Sequence, residues 1–144
     1  MADGRGAGRG ILVVDDDARL RESILMLLRD AGYPAVGAAN GREALELAER
    51  ESPRLILLDL MMPVMDGWQF LAERAQHRAA GNAAVVLLSG MAFIRDAPGV
   101  AGFLTKPIRT ESLLDYAQRF CGDGARREAR LSGSGSESRS GSDL

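Results

Sequence analysis

Lysine, histidine, cysteine and tryptophan each occur once in this 144-residue chain. A lone Cys121 allows no intrachain disulfide. The one histidine, His77, sits among polar residues and reads as a surface group, neither ligand nor phosphodonor. No apolar run approaches the length of a membrane span, and the N-terminus lacks the apolar stretch of a secretory signal. The formal net charge is only -2 and the charges are scattered, so nothing electrostatic points to nucleic acid or to an anionic membrane. No internal repeat is visible. A cytoplasmic setting fits all of these absences.

What is present is ordinary for one globular domain: 46% hydrophobic and 26% charged residues, with enough length for a real core. Residues 1–9 are rich in Gly, Ala and Arg and are expected to be disordered, as is the polar tail 122–144. The N-terminal GRGAGRG precedes a strand instead of following one and lacks a Gly-Lys-Ser/Thr ending, so it is no phosphate loop. Between the ends, residues 10–121 alternate short apolar runs with helical periodicity. Leu20, Ile24, Leu27, Leu28 and Ala31 recur at helical spacing, with Asp17 as N-cap and Gly32 as stop. Asn40 and Glu43 resemble a capping box ahead of the next helix. A third helix begins near Trp68, which is expected to be half-buried. The last carries Leu113, Leu114, Ala117, Phe120 and Cys121 on one stripe, with Thr110 as its N-cap. Five strands alternating with helices predict an α/β sandwich with a mainly parallel sheet.

Three of the apolar runs end in charge. Ile11–Val14 leads into Asp15, Asp16 and Asp17; Leu55–Leu58 leads into Asp59; Gly102–Thr105 leads into Lys106 and Pro107. In parallel sheets ligands bind beyond the carboxyl ends of the strands. One aspartate at such a place often only caps a helix. Asp15, Asp16 and Asp59 converging would repel one another unless a cation sat among them. An oxygen-only ligand set with no Cys or His partner suits a hard ion such as Mg²⁺. Lys106 is the only lysine among eighteen basic residues, which weighs against an ordinary solvated position. It could pair with Asp59 or with a phosphate. Ser89 ends the fourth run before Gly90; it is a turn residue or, at this edge, a donor to an anion.

With these segments in order, ILVVDDD, LILLDLMMPVMDG, VVLLSG and FLTKP, the chain resembles a response-regulator receiver domain of two-component signalling, over about residues 10–121. The resemblance implies a flavodoxin-like, doubly wound five-stranded parallel sheet of order 2-1-3-4-5 flanked by five helices. It implies that Asp59 is the phosphoacceptor for a histidine kinase or histidine phosphotransfer protein. Asp15, Asp16, Asp59 and the backbone carbonyl of Met61 would hold Mg²⁺, Lys106 and Ser89 would contact the phosphoryl group, and Phe103 would be the aromatic switch. Met61 and Met91 are either plain loop methionines or, as the resemblance implies, at positions that influence how easily water attacks the acyl phosphate. Both are apolar, which predicts slow self-dephosphorylation.

The stretch from Ser89 to Lys106 is shorter than usual for the family and contains Pro98 and Gly99, so residues 90–101 are expected to hold a shortened or irregular fourth helix. No basic recognition helix follows Cys121, which suggests a single-domain switch acting on an unknown downstream protein, or relaying phosphate, without touching DNA. Two other readings compete. One is a receiver kept for binding alone. The other is a small Mg²⁺-dependent phosphatase of haloacid-dehalogenase type, which expects a second aspartate where Asp59 is followed by Met61.

Overall fold

A computed structural model describes residues 10–62, 64–76, 82–89 and 99–122. Its strands are β1 (Ile11–Val14), β2 (Ala35–Ala38), β3 (Leu55–Asp59), β4 (Ala84–Ser89) and β5 (Gly102–Thr105). The helices among the described residues are α1 (Ala18–Asp30), α2 (Gly41–Glu51), α3 (Gly67–Arg74) and α4 (Thr110–Cys121). All strand pairs are parallel and the sheet order is β2-β1-β3-β4-β5, as the resemblance implied. No helix among the described residues is long and apolar enough to cross a membrane.

The central strands β1, β3 and β4 are almost wholly apolar because both faces of the sheet are covered there. Side chains alternate between two cores. Ile11, Val13, Leu55, Leu57, Val86, Leu88 and Leu104 pack with Ile24, Leu25 and Leu28 of α1 and with Leu113 and Ala117 of α4. Leu12, Val14, Ile56, Leu58, Val85 and Leu87 pack with Ala44, Leu45 and Ala48 of α2 and Phe70 of α3. This strict period of two is what gives a doubly wound sheet its two hydrophobic layers.

Local chemistry sets the helix ends. Asp17 Oδ1 accepts from the amides of Arg19 and Leu20 at 3.1 and 3.2 Å, starting α1. The chain leaves α1 through bonds from the Gly32 and Tyr33 amides to Arg29 and Leu28 carbonyls. Arg29 then clamps the Ala35 carbonyl with Nε and Nη2 at 3.1 and 2.7 Å, fixing α1 against β2. The expected capping box on α2 is shifted by one residue: Asn40 caps the Glu43 amide, but Glu43 Oε1 accepts from Ala39, not from Asn40. A complete box stands at α3 instead, between Asp66 and Gln69. Trp68 lies within this first turn and keeps 46% of its surface exposed.

Thr110 is not the N-cap of α4. That position falls to Arg109, which makes no side-chain cap bond. Ile108 is buried, and the inward turn that buries it carries Thr110 inward as well, where its Oγ1 has no hydrogen-bond partner. The irregular fourth helix, Met91, His77 and both polar ends concern residues that lie, except for Gly99–Ala101 and Gly122, outside the described ones. Those three residues form no helix: Arg74 Nη2 reaches the Gly99 carbonyl at 3.3 Å, and the Ala101 amide donates to Val85 at 2.7 Å.

Candidate functional site

The strand order reverses between β1 and β3, and the loops leaving these two strands part at that point. Asp15, Asp16 and Asp59 emerge there, and each offers a carboxylate oxygen within 4.8 Å of the others. Asp15 is fully buried, Asp59 nearly so, and Asp16 is exposed. A buried carboxylate beside an exposed one is the arrangement expected of a site open on one side.

Asp15 is held on every side but one. Its amide donates to Ala38 at 3.1 Å, and its Oδ1 accepts from the Asp17 amide at 2.9 Å. Its carbonyl accepts from Arg21 Nη1 at 2.7 Å. The remaining oxygen, Oδ2, lies 3.2 Å from Lys106 Nζ, an ion-pair distance without hydrogen-bond alignment. Asp59 Oδ1 lies 3.5 Å from the same ammonium and accepts weakly from the Met61 amide at 3.4 Å.

Lys106 is placed by backbone. Its amide donates to the Ser89 carbonyl at 2.8 Å, one step beyond the Ser89–Thr105 pair that ends the β4–β5 ladder. This brings Ser89 and Lys106 to the same edge as the carboxylates. Burial alone would lower the lysine pKa, but Asp15 and Asp59 outweigh it and raise it above the ordinary value. Asp59 is pushed up to about 6, first by burial and then by the Asp15 charge, with Lys106 opposing.

Three carboxylates facing one ammonium leave uncompensated negative charge. The donors are all oxygen, one buried oxygen has no hydrogen bond, and Asp59 resists ionisation. That chemistry fits a hard divalent cation of the Mg²⁺ type.

The Met61 amide reaches Asp59, but the side chains of Met61 and Phe103 stand outside the cluster. The Met61 side chain is 74% exposed at its rim. Phe103 faces outward on β5 and lines an open groove of about 490 Å³ with Arg109, Tyr116 and Arg119 of the α4 side.

Two contributors were not foreseen. Gly67 follows the Asp66 cap, and a Cβ there would come within 2.7 Å of the Asp59 carbonyl oxygen. Its absence lets α3 start directly against the end of β3. Arg21 was not singled out at all. Its register with Ile24, Leu25 and Leu28 puts it on the apolar face of α1 but does not name the carbonyl it meets.

Comparison with known proteins agrees with the geometry. The family model described as response regulator receiver domain matches residues 11–118. An uncharacterized 14.6 kDa protein of Leptolyngbya boryana is 34% identical over 116 residues, covering 77% of this chain and 88% of the relative. The transcriptional regulatory protein PdtaR of Mycobacterium tuberculosis is 36% identical over 110 residues, and the match spans 74% of this chain but 53% of that longer protein. Among solved structures, the Vibrio cholerae chemotaxis protein CheY4 is 32% identical with a TM-score of 0.67, covering 76% of this chain and 96% of that one. The receiver domain of the sensor histidine kinase PA1611 from Pseudomonas aeruginosa, which has a magnesium ion coordinated in its active site cleft, is 29% identical with a TM-score of 0.72, covering 80% and 98%. From its sheet order, its acidic switch-point cluster and these matches, the chain belongs to the response regulator receiver domains of two-component signalling.

Proposed function

We propose that this receiver is a phosphorylation-dependent signalling switch in which Asp59 accepts a phosphoryl group from a histidine kinase or a histidine phosphotransfer protein. The observation that carries the reading is the convergence of Asp15, Asp16 and Asp59 on one edge, with Lys106 bridging the two buried carboxylates.

In the proposed reaction an Asp59 oxygen attacks the phosphorus of a phosphohistidine. The phosphorus–nitrogen bond breaks, the imidazole leaves with its electron pair, and an acyl phosphate forms on Asp59. Asp15, Asp16, Asp59 and the Met61 carbonyl would hold Mg²⁺. Bound there, the ion would supply neutralisation of the charge on the phosphoryl oxygens. Lys106 supplies a second positive charge, already poised 3.5 Å from Asp59. Ser89 then donates to the phosphoryl group, and Phe103 leaves its exposed position as Ser89 is drawn in. Receiver domains are signalling domains, so the output is a change of surface, read by a downstream protein or passed on as phosphate; a cytoplasmic location suits a kinase-fed switch.

Incubation with acetyl phosphate and Mg²⁺, followed by intact-mass measurement, tests this. The native chain gains one labile phosphoryl mass, and Asp59→Asn or removal of Mg²⁺ abolishes the gain. No gain by a native chain that binds Mg²⁺ would leave a receiver that works by binding alone.

A further inference from the structure

We propose that Arg21 is a positioning residue for the acidic site: by holding the Asp15 carbonyl, it orients the peptide plane that joins the two carboxylate-bearing residues Asp15 and Asp16. The inference rests on the Mg²⁺ reading above and deepens it.

The Arg21 guanidinium donates to the Asp15 carbonyl through Nη1 at 2.7 Å, across the loop between β1 and α1. That carbonyl belongs to the peptide whose other end is the Asp16 Cα, and the six atoms of a peptide unit move as one plane. Asp15 itself is anchored by Ala38 and by its own turn bond to Asp17. Asp16 is exposed, and among the described residues no hydrogen bond or ion pair fixes its carboxylate within the cluster. The bond from Arg21 therefore sets how the Asp16 carboxylate is presented.

The fold makes room for this arginine. Its stem crosses β2 at Gly37, where a Cβ would lie 3.1 and 3.2 Å from Arg21 Cδ and Cγ and 3.0 Å from Leu25 Cδ1. Glycine at this strand position lets the stem lie flat on the sheet and reach the loop. Arg21 is half-buried, so its bond is shielded from competing water.

Charge and position make opposite predictions. As a bare positive charge near a cation site, Arg21 would repel Mg²⁺, and its removal would tighten binding. As a positioning residue, its removal loosens Asp16 and weakens binding. Calorimetric titration of the full chain with Mg²⁺ decides between them. Arg21→Met keeps the apolar stem and loses the donor; it is expected to weaken Mg²⁺ binding about tenfold or more, in the range seen for groups that orient metal ligands. Arg21→Lys keeps a donor and recovers part of the loss. Gly37→Ala, which displaces the stem without removing the guanidinium, shows a smaller loss in the same direction and stands in if Arg21→Met does not fold. Melting in chelator separates stability from affinity, since a merely structural role would lower melting without lysine rescue of Mg²⁺ binding. Unchanged or tighter binding by Arg21→Met, beside a native chain that binds Mg²⁺, overturns this proposal and leaves the phosphoacceptor reading standing. A native chain that binds no Mg²⁺ overturns both.

Discussion

The acidic edge and the β5–α4 side of this receiver are built to different standards. At the acidic edge the backbone is held around the buried groups, while Asp15 Oδ2 accepts no hydrogen bond. Asp15 is fixed through its amide, its carbonyl and one carboxylate oxygen, and Lys106 is hung from the Ser89 carbonyl. On the other side, only Leu104 of the four β5 residues is buried, and α4 starts without a side-chain cap. The Tyr116 hydroxyl reaches the Phe103 carbonyl only at 3.5 Å, and Thr110 Oγ1 has no partner. Chemistry needs groups preorganised before the phosphoryl arrives. A switch needs two arrangements close in free energy, which weakly held contacts allow. Under the proposed function one sheet would supply both, with more polar contacts at the strand ends than along the outer face of β5.

Several substitutions would break or sharpen this contrast. The largest effect is expected at Lys106. Lys106→Met removes the one ammonium facing Asp15 and Asp59 and should slow phosphoryl uptake from acetyl phosphate by about a hundredfold, the scale for losing a transition-state charge partner. Time-resolved intact mass measures it, and an unchanged rate would mean the lysine only balances resting charge.

Next is the pH dependence of stability. Burial foremost raises the Asp59 pKa from 3.8 to about 6. The folded chain thus holds this proton more tightly than the unfolded chain. The associated stability is fully present below 3.8 and is lost as pH rises through about 6. Asn carries no such charge. In chelator, Asp59→Asn should therefore melt higher than the native chain at pH 7.5, by at most about 3 kcal/mol, and the advantage should vanish near pH 4. Equal melting at both pH values would show that Lys106 already compensates the site.

A smaller effect concerns lifetime. Met61 is exposed at the rim and cannot orient a water by hydrogen bonding. Met61→Asn should change the decay rate of the phosphorylated chain by a few fold, followed by loss of the phosphoryl mass; an identical decay curve counts against the slow-dephosphorylation reading. The smallest effect is on the loose side. Thr110→Val replaces an unsatisfied buried hydroxyl with a methyl of similar shape and should be neutral or stabilising by up to about 1 kcal/mol in urea melts. A clear destabilisation would mean that the hydroxyl has a partner in solution.

The same contrast explains what could be read from residues alone. Asp15, Asp59 and Lys106 were legible because each directly follows a short apolar run, and strand ends of a parallel sheet converge. The helix stripes were legible through their period, and Asp17 through cap chemistry. Arg21 was not, because a lone arginine on an apolar face has no local signature of the carbonyl it will meet six residues back. The Thr110 cap failed for a related reason. Local preference favoured threonine at the boundary, but burial of Ile108 set the register. Gly67 shows the same limit, since a turn glycine and a glycine pressed against a neighbouring strand look alike in one dimension.

The central claim is that phosphate lands on Asp59. Borohydride reduction of the chain after acetyl phosphate and Mg²⁺ treatment converts an aspartyl phosphate to homoserine, which peptide mass mapping then locates. Homoserine at position 59 alone is the predicted result. Homoserine elsewhere, or phosphate retained on another residue with position 59 intact, would contradict it.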